Sequence, residues 1–378
     1  MLLACNHHVF LDPQLCLFIH IQVHSKGVPL NIPPLIPERS EHRSTMPVAS
    51  VAPSSSSSSS STPILTREEV LHFLTEQLHL DRPSDAELST PDLALLQRVC
   101  RAFAAEVPLS TIRMLNTPLR DRALPTLEQI KQIGMNKLGG LCYETNTFLH
   151  WLLAGLGFHV EFLLGRIYGS TVDNHVWNIV HNLAGGKSYL VDGGSYPMMM
   201  ERLICVNDFD GNCSPVYVQS IWEVRLRRKL VDGLPGFAEE FRWTGNTAET
   251  QPQWKRLPVD SEGWAEFAEF PLVRRSQEEL AMALRRIRTS QDVTIAPIRM
   301  RIYCVTYPGG RLLQICNTSL FWEDEKRERR ELRARTREEL EDLILRNFKE
   351  YFPDEAVVRT AVESYLQFVK SPPAFVTL

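Results

Sequence analysis

The chain has 378 residues, of which 44% are hydrophobic and 23% charged, and its formal net charge is -4. That length accommodates two or three domains with a sizeable core, and the intermixed acids and bases exclude a dominant nucleic-acid or polybasic membrane surface. The 8 cysteines include no C-x-x-C pair and none beside histidines at zinc-ligand spacing; a secreted disulfide scaffold drops out, no metal is expected, and a reducing cytoplasmic setting fits best.

Residues 1–63 read as a disordered leader. Asp12 and Pro13 interrupt its apolar patches and no basic segment precedes them, so it is no signal peptide. No apolar run anywhere reaches the roughly 18 residues of a membrane span. Met46 is a candidate for the true start. The tract Ser54 to Ser61 buries too little apolar surface to offset the entropy of ordering it.

Helical signals follow. Thr66-Arg-Glu-Glu69 is a capping box ahead of Val70, Phe73, Leu74 and Leu78 on one face. Thr90-Pro91 predicts a cap and a proline at the first helical position, before Leu93, Leu96 and Val99. A third helix is predicted over Leu127 to Ile133. A fourth starts at or just before Cys142, with Gly155 as its cap. Strands are predicted at Phe158 to Leu164, His175 to His181, Ser188 to Val191, Val216 to Trp222 and Phe237 to Trp243. The last third mixes a helix near Gln277 to Ile287, strands at Met300 to Thr306 and Leu312 to Ile315, and a helix opened by Thr336-Arg-Glu-Glu339. Helices, then antiparallel strands, then a mixed unit define an α+β chain.

The chemistry concentrates in Lys137-Leu-Gly-Gly-Leu-Cys-Tyr-Glu-Thr-Asn146. Two glycines permit a tight turn into a helix N-terminus, where the dipole and free N–H groups favour a thiolate at Cys142. An arbitrary cysteine after a loop is a buried structural residue; Gly-Gly before it and Glu144 and Asn146 after it turn the balance toward a nucleophile. Such a thiol needs a base, and the base needs an orienting group. His175 opens one strand of a predicted hairpin and Asp192 closes the other, which sets them at matching ends.

These residues resemble the arylamine N-acetyltransferase family, whose signature is Arg-Gly-Gly-x-Cys-x-Glu-x-Asn. The match runs through Gly139-Gly-Leu-Cys142-Tyr-Glu144-Thr-Asn146, Gly165-Arg166, His175-Val-Trp and Tyr189-Leu-Val-Asp192. The resemblance implies a helical bundle bearing Cys142 over 64–156, a β-barrel bearing His175 and Asp192 over 157–255, and an α/β lid over 256–378. It also implies ping-pong chemistry: Cys142 takes an acyl group, usually acetyl, from acyl-coenzyme A and passes it to an aromatic amine or hydrazine. Coenzyme A is then a co-substrate and not a bound cofactor. Thr171 falls where the family contacts the coenzyme, and Ser195 where it lines the acceptor pocket; both positions also read as ordinary loop residues.

Three departures stand out. Leu138 replaces the motif arginine, a buttress whose hydrogen bonds leucine cannot make, leaving Lys137 as a candidate support. Tyr196 replaces a small residue after the aspartate, which predicts a narrowed acceptor pocket. The interval from Cys142 to His175 is short for the family, which predicts a trimmed loop near Tyr168 to Asn174. Two other readings use the same residues: a thiol hydrolase or amidase with water as acceptor, and a non-catalytic family member.

Overall fold

The computed structural model describes residues 64–167, 169–195, 199–243, 259–289 and 301–370. The expected disordered leader, Tyr168, Tyr196 and the tail from Ser371 lie outside the described residues.

Helices lead the chain: α1 (Arg67–His72), α2 (Asp85–Ser89) and α3 (Leu93–Glu106), then a two-residue strand β1 (Leu109–Ser110), α4 (Ile112–Leu115), α5 (Leu127–Met135) and α6 (Cys142–Gly155). The first capping box forms as read, Thr66 Oγ1 accepting from Glu69 N while the Glu69 carboxylate accepts from Thr66 N at 2.8 Å. The start of α3 differs from expectation. Asp92 is the cap, its carboxylate accepting from Leu95 N at 2.8 Å, and Pro91 stays outside the helix; a charged acceptor beside the free N–H groups outcompetes Thr90. Likewise α6 stops at Gly155, but the left-handed turn that ends it is at Gly157, φ 92°.

Eight antiparallel strands follow as one sheet: β2 (His159–Ile167), β3 (His175–Leu183), β4 (Lys187–Asp192), β5 (Met199–Cys205), β6 (Tyr217–Gln219), β7 (Trp222–Val231), β8 (Leu234–Trp243) and β9 (Ala265–Pro271). Their order is β5-β4-β3-β2-β9-β8-β7-β6. The two edge strands curl toward each other, and the Gln219 amide closes the gap by accepting from Arg202 N at 3.0 Å and donating to Arg202 O. The result is a nearly closed barrel. The run Val216 to Trp222 is not one strand: Ser220 adopts φ 57°, so β6 ends and β7 begins two residues later. Trp177, Trp222, Phe241, Phe267 and Phe270 are fully buried; aromatic side chains of this size supply most of the apolar area a small barrel hides from water.

Beyond the barrel lie α7 (Gln277–Thr289), β10 (Tyr303–Thr306), β11 (Leu313–Cys316), β12 (Ser319–Glu323), β13 (Arg329–Arg333), α8 (Arg337–Phe348) and α9 (Glu355–Lys370). The second sheet runs β1-β10-β11-β12-β13. Its first strand comes from the helical segment, pairing Leu109 with Val305 and Ser110 with Cys304. Leu109 also bridges to Gly140. The turn before Cys142 is thereby pinned to the second sheet, and α4, α8 and α9 cover that sheet with a core of Ile112, Leu115, Ile344, Phe348 and Val358. The whole described chain is α+β.

Candidate active site

Cys142 is the first residue of α6, half-buried, with extended Leu141 before it. The turn that delivers it needs glycine at 139: φ is 66°, and an added Cβ would lie 2.2 Å from Pro108 O. Lys137, also left-handed, ties the turn to α3 through a 2.8 Å ion pair with Glu106.

Asn146 stands one helical turn after Cys142 on the same side of α6. Its Nδ2 donates to Val176 O at 2.7 Å and to Asp192 Oδ1 at 2.8 Å, and its Oδ1 accepts from Gly193 N at 2.9 Å. One amide thus joins the cysteine helix to both strands of the hairpin. Asn178 makes a second clasp, donating to Asn146 O at 3.0 Å. The chain after Asp192 then passes over the helix so closely that a Cβ on Gly194 would lie 2.5 Å from Cys142 Cα.

His175 and Asp192 are buried and joined, His175 Nε2 to Asp192 Oδ2 at 2.7 Å. The strand register explains the match: Asn178 pairs with Val191, so the start of β3 and the end of β4 meet. With Nε2 taken, Nδ1 is the ring nitrogen left for the thiol, and Cys142 interacts with His175 both by hydrogen bond and by charge. The thiol also lies 3.8 Å from Asn174 O. Burial by itself depresses the imidazole's proton affinity; Asp192 and Cys142 outweigh that and raise the His175 pKa to about 10. Burial pushes the Asp192 carboxyl the other way, and His175, Asn146 and Ser195 together bring it below the usual carboxylate range. Gly194 N adds a further donor at 2.8 Å. A carboxylate so fully bonded stays ionised and fixes the ring's orientation.

The residues expected at the site are therefore distributed as follows. Cys142, His175 and Asp192 come together. Ser195 is buried, with its side chain hydrogen-bonded to Asp192. Thr171 is exposed on the loop between β2 and β3, a loop clipped by Asn174 Oδ1, which accepts from Ile167 N at 2.8 Å. Leu138 lines a cleft of about 570 Å³ behind the glycine turn, with Arg113, Arg122, Glu144 and Arg288.

Sequence reasoning missed four contributors. Asn146 belonged to the quoted motif, and its helical spacing from Cys142 was the available signal. Trp177 packs edge-on against His175, ring centroids 4.3 Å apart. Arg288 and Gln277 reach back from α7 to the first turn of α6: Arg288 Nη1 pairs with Glu144 Oε1, and Gln277 Nε2 donates to the Tyr143 hydroxyl at 3.1 Å. No local pattern marks either, because each contact spans more than a hundred residues.

A half-buried thiol at a helix N-terminus therefore stands beside a buried imidazole–carboxylate pair carried by an antiparallel barrel, an arrangement open to thiol-dependent chemistry. The sequence profile of the N-acetyltransferase family matches residues 92–207. An arylamine N-acetyltransferase of Mycolicibacterium smegmatis is 31% identical over 113 residues; that stretch covers 28% of this chain and 40% of the relative, so the similarity spans less than half of the relative's length. Among solved structures, the arylamine N-acetyltransferase of Mycobacterium abscessus superposes with a TM-score of 0.59 at 18% identity, covering 79% of this chain and 95% of that one. The Mycobacterium marinum enzyme in complex with CoA gives 0.59 at 14% identity, covering 78% and 99%. At such identities the structures speak for the fold. The family profile covers less than half of this chain, and the solved arylamine N-acetyltransferases share its fold.

Proposed function

We propose that this protein transfers an acyl group, ordinarily acetyl, from acyl-coenzyme A to the nitrogen of an aromatic amine or hydrazine, with Cys142 as the carrier. The supporting observation is the buried 2.7 Å bond between His175 and Asp192 on the flank of the Cys142 thiol. Acyl-coenzyme A enters the proposal from the family, one of whose structurally similar members has been solved with CoA.

In the first half-reaction the Cys142 thiolate attacks the thioester carbonyl. The tetrahedral adduct collapses by breaking the bond to coenzyme A sulfur, and the imidazolium at His175 gives its proton to that leaving thiolate. Cys142 is left as a thioester and His175 as neutral imidazole. In the second half-reaction the acceptor nitrogen attacks the Cys142 carbonyl and surrenders a proton to His175. Expulsion of the Cys142 thiolate then regenerates the ion pair and releases the amide. Asp192 keeps His175 Nε2 protonated throughout, so Nδ1 is the atom that exchanges protons. Thr171, exposed on the loop between β2 and β3, is proposed as a coenzyme contact; Ser195 is proposed to line the acceptor side while its side chain holds Asp192.

The test is release of free coenzyme A thiol from acetyl-coenzyme A in the presence of an arylamine or hydrazine, with intact-protein mass spectrometry of the enzyme before the amine is added. An acetyl adduct on Cys142, absent from Cys142→Ala together with turnover, is the expected result. Turnover retained in Cys142→Ala would overturn the assignment, and thiol release without any amine would identify a hydrolase instead.

A further inference from the structure

Glu239 on β8 is 0% exposed, and neither of its carboxyl oxygens receives a well-directed hydrogen bond, the Trp177 indole N–H being the donor that acts on it. The indole N–H of Trp177, which lies against it, is also buried without a well-directed partner. Trp177 is in turn the ring packed edge-on against His175, 4.3 Å between centroids, with Phe270 at 4.6 Å on its other side. Glu240, next in the chain, turns the opposite way to Arg225 at 2.7 Å and Arg227 at 2.5 Å. Both glutamates pair in unbroken register with β7, so strand alternation points one carboxyl outward into an ion-pair network and leaves the other buried. A buried, unpaired carboxylate is among the costliest groups a core can hold, so it is retained in the neutral acid form or serves a use.

We infer that Glu239 is a further positioning residue of this site, whose carboxyl, sealed behind Trp177, governs the charge balance around the His175–Asp192 pair. The inference rests on the proposal that Cys142 is the nucleophile. Two ionisable groups act on Glu239 across the barrel, Asp192 and His175. Burial first, and then the Asp192 charge, push the Glu239 carboxyl up to about 8, against the opposing pull of His175. The acid is therefore neutral around pH 7 and leaves Asp192 as the lone counter-charge of the imidazolium. Above about pH 8 it ionises, and because coupling between two sites is mutual, its charge then holds the proton on His175 to higher pH.

The experiment is the pH dependence of iodoacetamide alkylation of Cys142, followed by peptide mass spectrometry with half-buried Cys213 as an internal reference. In the native protein the alkaline limb marks loss of the His175 proton; in Glu239→Gln that limb should move to lower pH by about half a unit or more, the scale of coupling between buried charges. Superimposable limbs in the two proteins would overturn the inference while leaving the nucleophile in place. Cys142 alkylating no faster than Cys213 at any pH would overturn the nucleophile itself, and this inference with it. Should Glu239→Gln fold poorly, infrared difference spectra of the native protein between about pH 7 and about pH 9.5 decide alone. Loss of a protonated buried-carboxyl band supports the role of Glu239, and its absence ends it.

Discussion

Arg288, near the end of α7, pairs through Nη1 with the carboxylate of Glu144, two residues after the thiol, and both side chains are mostly withdrawn from solvent. Two of their polar atoms, Glu144 Oε2 and Arg288 Nε, are buried without hydrogen-bond partners, so the pair is held by a single contact. Removing one member of such a pair strands a buried charge, at a cost of about 3–5 kcal/mol. Arg288→Ala should therefore lower the melting temperature and slow acylation of Cys142. Glu144→Gln should partly restore both in the double variant. A thermodynamic cycle over the four proteins should return a coupling of about 1–3 kcal/mol; zero coupling would show that the two do not interact in solution.

Much of this site is written in local sequence, and part of it is not. The thiol, its glycine turn and the hairpin carrying His175 and Asp192 are legible because each depends on neighbours within a few residues: a φ of 66° that glycine tolerates, a helix N-terminus, a short connection at Leu183 to Gly186. β7 escaped because Arg225, Arg227 and Lys229 fill its outer face, so the strand reads as a charged loop until Glu240 and Glu266 appear beside it. β12, β13 and α9 lie outside the sequence expectation, although α9 opens on Asp354, whose Oδ1 accepts from Ala356 N at 3.0 Å, and β12 follows Asn317 at φ 54°. Arg288 and Glu239 lie far along the chain from the residues they serve, and only tertiary packing reveals them.

Asn146 holds the aspartate, the hairpin and the cysteine helix with one side chain, and its bond to Asp192 helps keep that carboxyl ionised. Asn146→Ala should lower kcat by about 10- to 100-fold, the effect of losing a group that orients a catalytic side chain. It should also move the acid limb of kcat/KM to higher pH, since Asp192 loses a donor to its charged form. An acid limb that stays in place, with activity merely reduced, would make Asn146 a packing residue and nothing more.

Gly194 tests the close approach of chain and helix. A Cβ there would meet Cys142 Cα at 2.5 Å, Asn146 Nδ2 at 2.7 Å and Thr145 Oγ1 at 2.7 Å. Backbone cannot step aside as a flexible side chain does, so Gly194→Ala should destabilise the protein by about 1–3 kcal/mol and cut turnover by displacing the thiol. Denaturant melts and steady-state assays on this one variant suffice; wild-type values in both would mean that the two segments are farther apart than described.

Stability should fall in alkali for a definite reason. His175 has its pKa raised to about 10 in the folded protein, against about 6.5 in an unfolded chain. Its stabilising contribution is therefore complete below about pH 6.5 and is lost as pH rises through about 10. The depressed Asp192 carboxyl works in the opposite sense, contributing above its unfolded value near 3.9 and failing as pH drops through its lower folded one. Urea unfolding of the native protein should show a decline between about pH 7 and about pH 10, on the order of a few kcal/mol. His175→Gln should flatten that decline, and an equally steep slope in the variant would assign the loss to other groups.

Leu138 offers the sharpest test of how this chain supports the turn before Cys142 without the arginine of the motif it resembles. Leu138 and Glu144 line one cleft, and Arg113, Arg122 and Arg288 already bring three guanidinium groups to its walls. Returning the arginine alone, in Leu138→Arg, adds a fourth cation where Glu144 is already engaged, and should lower stability or leave activity unimproved. In the Arg288→Ala background the same change meets a Glu144 carboxylate with no partner, and there it should recover part of the lost turnover. The opposite signs expected in the two backgrounds separate replacement of one buttress by another from a general effect of added charge. If Leu138→Arg raises activity equally in both, Arg288 does not stand in for the missing arginine.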